Sequence, residues 1–376
     1  MDKTALRTAA AKYGTPLYLF DLEAFTARAQ RVRAAFGSDV NLCYSMKANP
    51  FVLRGLPDVF RWVEVCSPGE LTICERLGIP PERILYSGVN KGADDVARAV
   101  ALGADLLTAE STLHFELICA AGSQFGMDPD ALAELVARRA EFPNVTIVGI
   151  HYFSGTQKRK DAVIAKELAH LDEYLTMLHE QYGFTAQHVE YGPGLNAECF
   201  REDAEARDCA LLDAAAAHIR AFGEKYPLTI EMGRFFAAPC GTFLTGVADA
   251  KCNLGVNYAV CDGGMHQVKY DGQLMGMQVP PLTLLRESAD GPWMLCGSLC
   301  TTADVLVREA QLPPLRVGDV IALGRCGAYS VTEGVSVFLS RDMPRVALYR
   351  DGVFTLVRDR FATDVLNTCQ TLEDGT

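Results

Sequence analysis

The sequence predicts an α/β protein built as a (β/α)8-type, TIM-like barrel joined to a C-terminal, mainly antiparallel β domain. Three observations predict it. Short apolar runs alternate with helix-periodic segments from about residue 17 to 247, the pattern of parallel strands with crossover helices. Past about residue 243 that alternation gives way to short β-branched runs divided by Pro, Gly and Asp turns. The 376 residues, 49% of them apolar, are enough for two domains with cores of ordinary size.

In chain order, residues 1–13 read as a helix stopped by Gly14. TPLYLFD follows as a strand that could join either domain. Buried strands are expected in VNLCYSM (40–46), RWVEVC (61–66), RILYSGV (83–89), DLLTAE (105–110), VTIVGIHYF (145–153), HVEYGPG (188–194) and LTIEMGR (228–234). Helical spacing falls between them, at 26–36, 68–77, 93–102 and 161–181. One barrel strand is missing from the pattern near 121–123. There the helical run TLHFELICAAG leads straight into SQFGMD and the helix at 129–139. NYAVCDGG, MLCGSLC, DVIALGR, AYSVTEGVSVFLS and RVALYRDGVFTLVR supply the later strands, with RDG (350–352) as a hairpin turn. The expected domains are a barrel over 23–243 and a β domain made of 1–22 with 244–376.

A net charge of −12 argues against nucleic-acid binding and against a basic membrane-surface patch. No run approaches the roughly 18 apolar residues of a membrane span. The start lacks an apolar signal core. The 13 cysteines include no CxxC pair, so they read as reduced thiols of a cytoplasmic protein rather than a metal cluster or disulfide frame.

Lys47 ends the run YSMKANP at the C-terminal edge of a strand, where barrels collect their chemistry. Desolvation there would lower its pKa and free an amine to condense with an aldehyde. On position alone it also reads as a surface lysine at a strand end. GPG (192–194) and Gly233–Arg234 follow late strands. Glycine lets backbone N–H groups approach an anion and Arg adds a fork of donors. Late-strand loops are the usual phosphate site of such barrels, although Gly-Pro-Gly is also simply a turn. Glu231 could pair with a pyridinium nitrogen, or with Arg234 as a structural ion pair.

PLYLFD, YSMKANP, VEVCSPGEL, ILYSGVNKG, SQFGMD, HYFSGTQ, VEYGPGL, IEMGR, CDGGM, CGSLCTTADVL and GAYS occur in this order, from Pro16 to about residue 340. The series resembles the fold-type III decarboxylases that use pyridoxal 5'-phosphate, the group of the diaminopimelate, ornithine and arginine decarboxylases. The resemblance implies decarboxylation of an amino acid, with Lys47 bonded to the cofactor. It puts Glu64 beside that bond, where the family usually has Asp, with Ser67 and Glu70 around it. It gives the phosphate to Gly192, Gly194, Gly233 and Arg234, with Thr156 close by and Tyr329 reaching over from the β domain. Glu231 would meet the pyridine nitrogen. A homodimer with shared sites is implied, in which Cys300 of the partner subunit returns the proton after CO2 leaves. Thr301 and Asp304 would lie by the substrate.

Two positions depart from the family pattern. Phe153 stands where relatives stack a histidine on the ring; it can stack but cannot hydrogen-bond. His151 then reads as a supporting or core histidine rather than a catalytic base. Thr301 stands where relatives with a distal substrate amine carry an acid, and a hydroxyl compensates a buried ammonium poorly. The FSGTQ and CTTAD patterns look like the subgroup from siderophore, antibiotic and carrier-linked pathways. The expected substrate is therefore an amino acid with an uncharged, acylated or carrier-linked far end. The missing strand would also remove an Arg that relatives bring near the cofactor. Rival readings are a racemase or epimerase using the same cofactor, and a cofactor-free binding relative.

Overall fold

The computed structural model describes residues 1–110, 115, 127–286 and 291–369. It divides into two compact units. One comprises Thr26–Ala197 and Glu205–Phe236; the other comprises Met1–Phe25, Glu198–Ala204 and Ala237–Thr376.

The second unit begins with α1 (Lys3–Tyr13), capped by Asp2 at its start and stopped at Gly14, whose φ of 72° suits glycine. β1 (Leu17–Asp21) follows, and α2 (Leu22–Phe36) leads on to the barrel strands. These are β2 (Asn41–Ser45), β3 (Trp62–Val65), β4 (Ile84–Tyr86), β5 (Leu106–Leu107), β6 (Gly149–Phe153), β7 (His188–Gly192) and β8 (Leu228–Met232). Between them run α3 (Pro68–Leu77), α4 (Ala93–Leu102), α5 (Pro129–Ala137), α6 (Asp161–Tyr182) and α7 (Ala204–Gly223). All seven strands pair in parallel, in the order β5-β4-β3-β2-β8-β7-β6. The barrel alternation read from the sequence is therefore present.

Among the described residues the barrel stays open between β5 and β6. The segment expected to lack a strand, near 121–123, and all of the helix expected over 112–122 except Phe115 lie outside the described residues.

Register fixes which side chains share the inner face. Cys43 pairs with Trp62 and Glu231, Ser45 with Glu64, Glu64 with Leu85, and His151 with Glu190. Low in the barrel this face is apolar, with Cys43, Trp62 and Leu85 in one cluster. At the C-terminal edge it turns polar. Strands buried on both faces are normally apolar throughout, so a row of inward carboxylates there marks the working end.

The other unit carries a nine-stranded mixed sheet. Its later strands are β9 (Gly241–Asn253), β10 (Val256–Cys261), β11 (Leu282–Leu284), β12 (Gly291–Cys296), β13 (Val305–Leu312), β14 (Val320–Gly324), β15 (Arg345–Arg350) and β16 (Val353–Arg358). Only β1–β15 and β10–β12 pair in parallel, so the sheet is mainly antiparallel. β1 sits between β9 and β15, which places the early strand in this unit. Leu17 and Leu19 of β1 share a core with Leu6, Ala9, Leu244 and Ala347.

One expected strand is absent. Residues 328–340 form turns and a single 3-10 turn at Phe338–Ser340. Tyr329, Leu339 and Ser340 hold φ of 66°, 56° and 48°, which no extended strand accommodates.

Candidate active site

β2 ends at Ser45, and Met46–Ala48 turn in a short 3-10 helix that lifts Lys47 just past the strand edge. Asn49 caps the following turn, accepting from the Phe51 amide at 3.0 Å. Lys47 Nζ lies 2.8 Å from Glu64 Oε2 and 3.9 Å from Glu231 Oε1, with its side chain 39% exposed. Lys47 also reaches Cys66 Sγ at 3.4 Å. Glu64, buried on β3, accepts in addition from Ser87 Oγ and from Cys66 Sγ at 3.1 Å.

The electrostatics correct one expectation. Burial pushes the Lys47 amine down. Glu64 and then Glu231, helped by Cys66, push it up further, and the net value is well above the ordinary one. Lys47 is thus held as an ammonium rather than freed as a neutral amine. Burial likewise raises Glu64, but Lys47 and the Ser87 and Cys66 donors bring it well below the usual carboxylate range. The amine that burial does depress is Lys91. Its side chain is 1% exposed, donates to the Gly88 carbonyl and sits 3.9 Å from Glu110 Oε1.

Glu231 ends β8. Ser45 Oγ donates to its Oε1, and His151 Nε2 stands 3.6 Å from its Oε2. Glu190, paired with His151 across β6 and β7, is 1% exposed. Burial pushes Glu190 up to about 8, with His151 opposing and Glu231 and Glu64 adding. Burial pushes His151 down, but Glu190, Glu231 and Glu64 carry it up to about 9.

Two loops beyond β6 and β7 are laced together. The Lys158 amide donates to the Gly194 carbonyl at 2.8 Å, and the Asn196 amide to the Lys158 carbonyl at 3.0 Å. Gly194 has φ of 57°, and a Cβ on it would fall 2.0 Å from the Gly155 carbonyl oxygen. Glu167 of α6 clamps the first loop, accepting from Ser154, from Lys158 at 2.7 Å and from Tyr191 at 2.6 Å. Thr156 is exposed on this loop. Phe153, 54% exposed at the end of β6, lies over Gly192, where a Cβ would be 2.7 Å from its ring. Gly233 abuts the end of β2, with room for no Cβ beside Ala48 and the Ser45 carbonyl. Arg234 opens the short helix that follows.

One barrel unit thus brings together Lys47, Glu64, Glu231, His151, Gly192, Gly194 and Gly233. Ser67 has a structural task as well: it caps α3, accepting from the Glu70 amide at 3.1 Å, while Glu70 accepts from the Cys66 amide at 2.7 Å. In the β unit Cys300 and Thr301 are exposed, and the Thr301 hydroxyl accepts from the Ala303 amide at 3.2 Å. Tyr329 sits in a left-handed turn. Asp304 has a structural task too. Expected beside the substrate, it is 2% exposed and its two oxygens accept from the Met265 and Leu299 amides at 2.7 and 2.8 Å. One oxygen thus holds the CGSLC turn and the other the loop at Met265. All twelve described cysteines are free, and six are buried.

Sequence reasoning passed over Cys66, Ser87 and Glu190. Glu190 carried a readable signal: like Glu231, it is a carboxylate flanked on both sides by apolar residues of a buried strand.

The model of the family described as pyridoxal-dependent decarboxylase, C-terminal sheet domain, matches residues 17–327. An L-glutamyl-[BtrI acyl-carrier protein] decarboxylase of Niallia circulans is 25% identical over 97% of this chain and 95% of its own. A diaminopimelate decarboxylase of Deinococcus radiodurans is 28% identical over 96% of this chain and 97% of its own. Among solved structures, the diaminopimelate decarboxylase of M. jannaschi superposes with a TM-score of 0.84 at 22% identity, covering 98% of this chain and 94% of that one. The match spans both units, and by it the protein belongs to the pyridoxal-phosphate-dependent amino-acid decarboxylases, in the group of the diaminopimelate and ornithine enzymes.

Proposed function

We propose that this decarboxylase acts on an amino acid whose far end is uncharged, acylated or joined to a carrier. The observation that carries the proposal is the neutral Thr301, directly after Cys300, where an acid would be needed to balance a distal ammonium. The similarity to a decarboxylase of a carrier-linked glutamyl group supports it.

The residues present fit pyridoxal phosphate. A lysine stands at the mouth of the barrel with a carboxylate 2.8 Å away. The loops after β6 and β7 are laced so closely that a Cβ at Gly194 would strike the Gly155 carbonyl, which fixes the glycine-rich backbone where a phosphate would sit. When bound, the cofactor supplies an electron sink for the bond that releases CO2. Lys47 would hold it covalently, with Glu64 beside the amine. Gly192, Gly194, Gly233 and Arg234, with Thr156, would grip the phosphate through N–H groups and the guanidinium. Phe153 would cover one face of the ring, and Glu231 would meet its nitrogen.

A homodimer would complete the site, with Cys300 of the partner subunit facing it and Tyr329 reaching the phosphate from the β domain. The thiol Sγ of Cys300, or Lys47 Nζ, would return a proton to the carbon that has lost CO2. Exposed apolar side chains on the β unit, among them Met265, Leu274, Met277 and Phe338, suit such a contact.

The test is a panel of substrates assayed for released CO2 with cofactor-loaded protein. The panel sets meso-diaminopimelate, L-ornithine and L-lysine against γ-acylated glutamates and a glutamyl thioester of pantetheine. The acylated members are expected to turn over fastest. Best turnover of free diaminopimelate or ornithine would overturn the substrate assignment.

A further inference from the structure

We infer that His151, backed by Glu190, is a positioning residue for Glu231: it fixes the second carboxylate oxygen and supplies the counter-charge that remains once Lys47 is bonded to the cofactor. The inference rests on the reading that Glu231 faces the cofactor's ring nitrogen.

The geometry divides the two oxygens of Glu231. Ser45 and, further off at 3.9 Å, Lys47 attend Oε1, whereas His151 Nε2 approaches Oε2, at 3.6 Å. His151, Glu190 and Glu231 offer ligand atoms that all lie within 4.8 Å of one another. Neither His151 Nε2 nor Glu190 Oε1 makes a hydrogen bond in the structure, though both atoms are buried. Buried polar atoms of this kind are costly unless they serve each other electrostatically.

Charge balance explains the arrangement. Three carboxylates, Glu64, Glu190 and Glu231, face two cationic groups, Lys47 and His151. The neutral state pairs Lys47 with Glu64 and His151 with Glu231, and leaves Glu190 protonated behind the ring. The upward displacement of Glu190 by burial agrees with that distribution, while the upward displacement of His151 draws first on Glu190 itself, so the two groups titrate as a pair. His188, two residues before Glu190 on β7, is pushed down to about 4 by burial and by His151, so it adds no second positive charge. Bonding Lys47 to an aldehyde changes the charge nearest Glu64; His151 is not consumed and keeps its place beside Glu231.

The experiment titrates stripped, full-length protein with pyridoxal phosphate, by absorbance, for wild type, His151→Asn, Glu190→Gln and Glu231→Gln. His151→Asn should bind the cofactor about tenfold more weakly at pH 7, the loss of one charged buried contact. The imidazolium contribution is full below the ordinary histidine pKa and is lost as pH rises through about 9, so the gap to wild type should close there. Glu190→Gln removes the largest of the charges that raise His151, so its cofactor affinity should fall off at a lower pH than that of wild type. A parallel titration of the seven histidines by NMR should show one imidazole near 9 that moves in Glu190→Gln. Unchanged affinity in His151→Asn with weakened binding in Glu231→Gln would overturn this inference alone. Unchanged binding in Glu231→Gln would overturn the reading of Glu231 as well. An NMR titration with no imidazole above 6.5 also overturns the inference, even where a variant fails to fold.

Discussion

At the scale of single residues, the site is a problem in holding charge inside a barrel. Glu64 is 2% exposed and tolerates that burial because Lys47, Ser87 and Cys66 all donate to it. Glu64→Gln should therefore destabilise the stripped protein by about 1–2 kcal/mol, less than a fully buried pair would cost because Lys47 is 39% exposed. The sign with pH follows from the direction of each shift. Glu64 is depressed, so its contribution is present above the ordinary carboxylate range and lost as pH falls below it. Lys47 is raised, so its contribution persists up to its ordinary value and fades only above it. Denaturant melts of wild type and variant should differ by a constant amount from about pH 5 to 9 and converge in acid. A gap that widens on acidification contradicts the pairing. Lys47, Glu64 and Glu231 were legible in the sequence because each sits at a strand end within a recognisable motif. The charge state of Lys47 was not, since it depends on two carboxylates 17 and 184 residues away in the chain, brought close only by β2 pairing with β3 and β8.

At the scale of elements, the alternating apolar runs revealed the parallel strands, because strands buried on both faces leave a strong signal. α3 and α4 fall where expected, at Pro68–Leu77 and Ala93–Leu102. The segment 328–340 misled because β-branched residues in VTEGVSV mimic a strand, whereas turn conformations at Tyr329 and Leu339 decide its path. The structural task of Asp304 was not legible either: a carboxylate near Cys300 in sequence accepts from two backbone amides in space. The laced loops after β6 and β7 make a prediction of their own. Gly194→Ala adds both a strained left-handed residue and a collision with Gly155, so cofactor affinity should fall at least tenfold. Gly183→Ala, with φ of 61° but nothing within 4 Å, is the matched control: it should cost about 1 kcal/mol of stability and leave cofactor binding alone. Equal cofactor affinity in the two variants would show that the loop geometry does not form the cradle.

At the scale of the whole molecule, one unit supplies the barrel mouth with its lysine and carboxylates, and the other supplies a mixed sheet carrying Cys300 and Thr301. The order of motifs along the chain predicts a barrel followed by a β domain, and the unit that holds the sheet also takes in Glu198–Ala204. β9, the 13-residue strand on which the second sheet is built, was not singled out, because its Gly, Thr, Ala and Asp residues dilute the β-branched signal. The identity of the cofactor lysine governs everything else at this scale, and Lys91 is the natural competitor as a second buried amine near the same strand ends. Borohydride reduction of the cofactor-loaded protein followed by peptide mass mapping separates the two directly. The phosphopyridoxyl mass should fall on the peptide containing Lys47 and disappear in Lys47→Ala. Its appearance on Lys91, or on no lysine of the barrel, contradicts the assignment of the site.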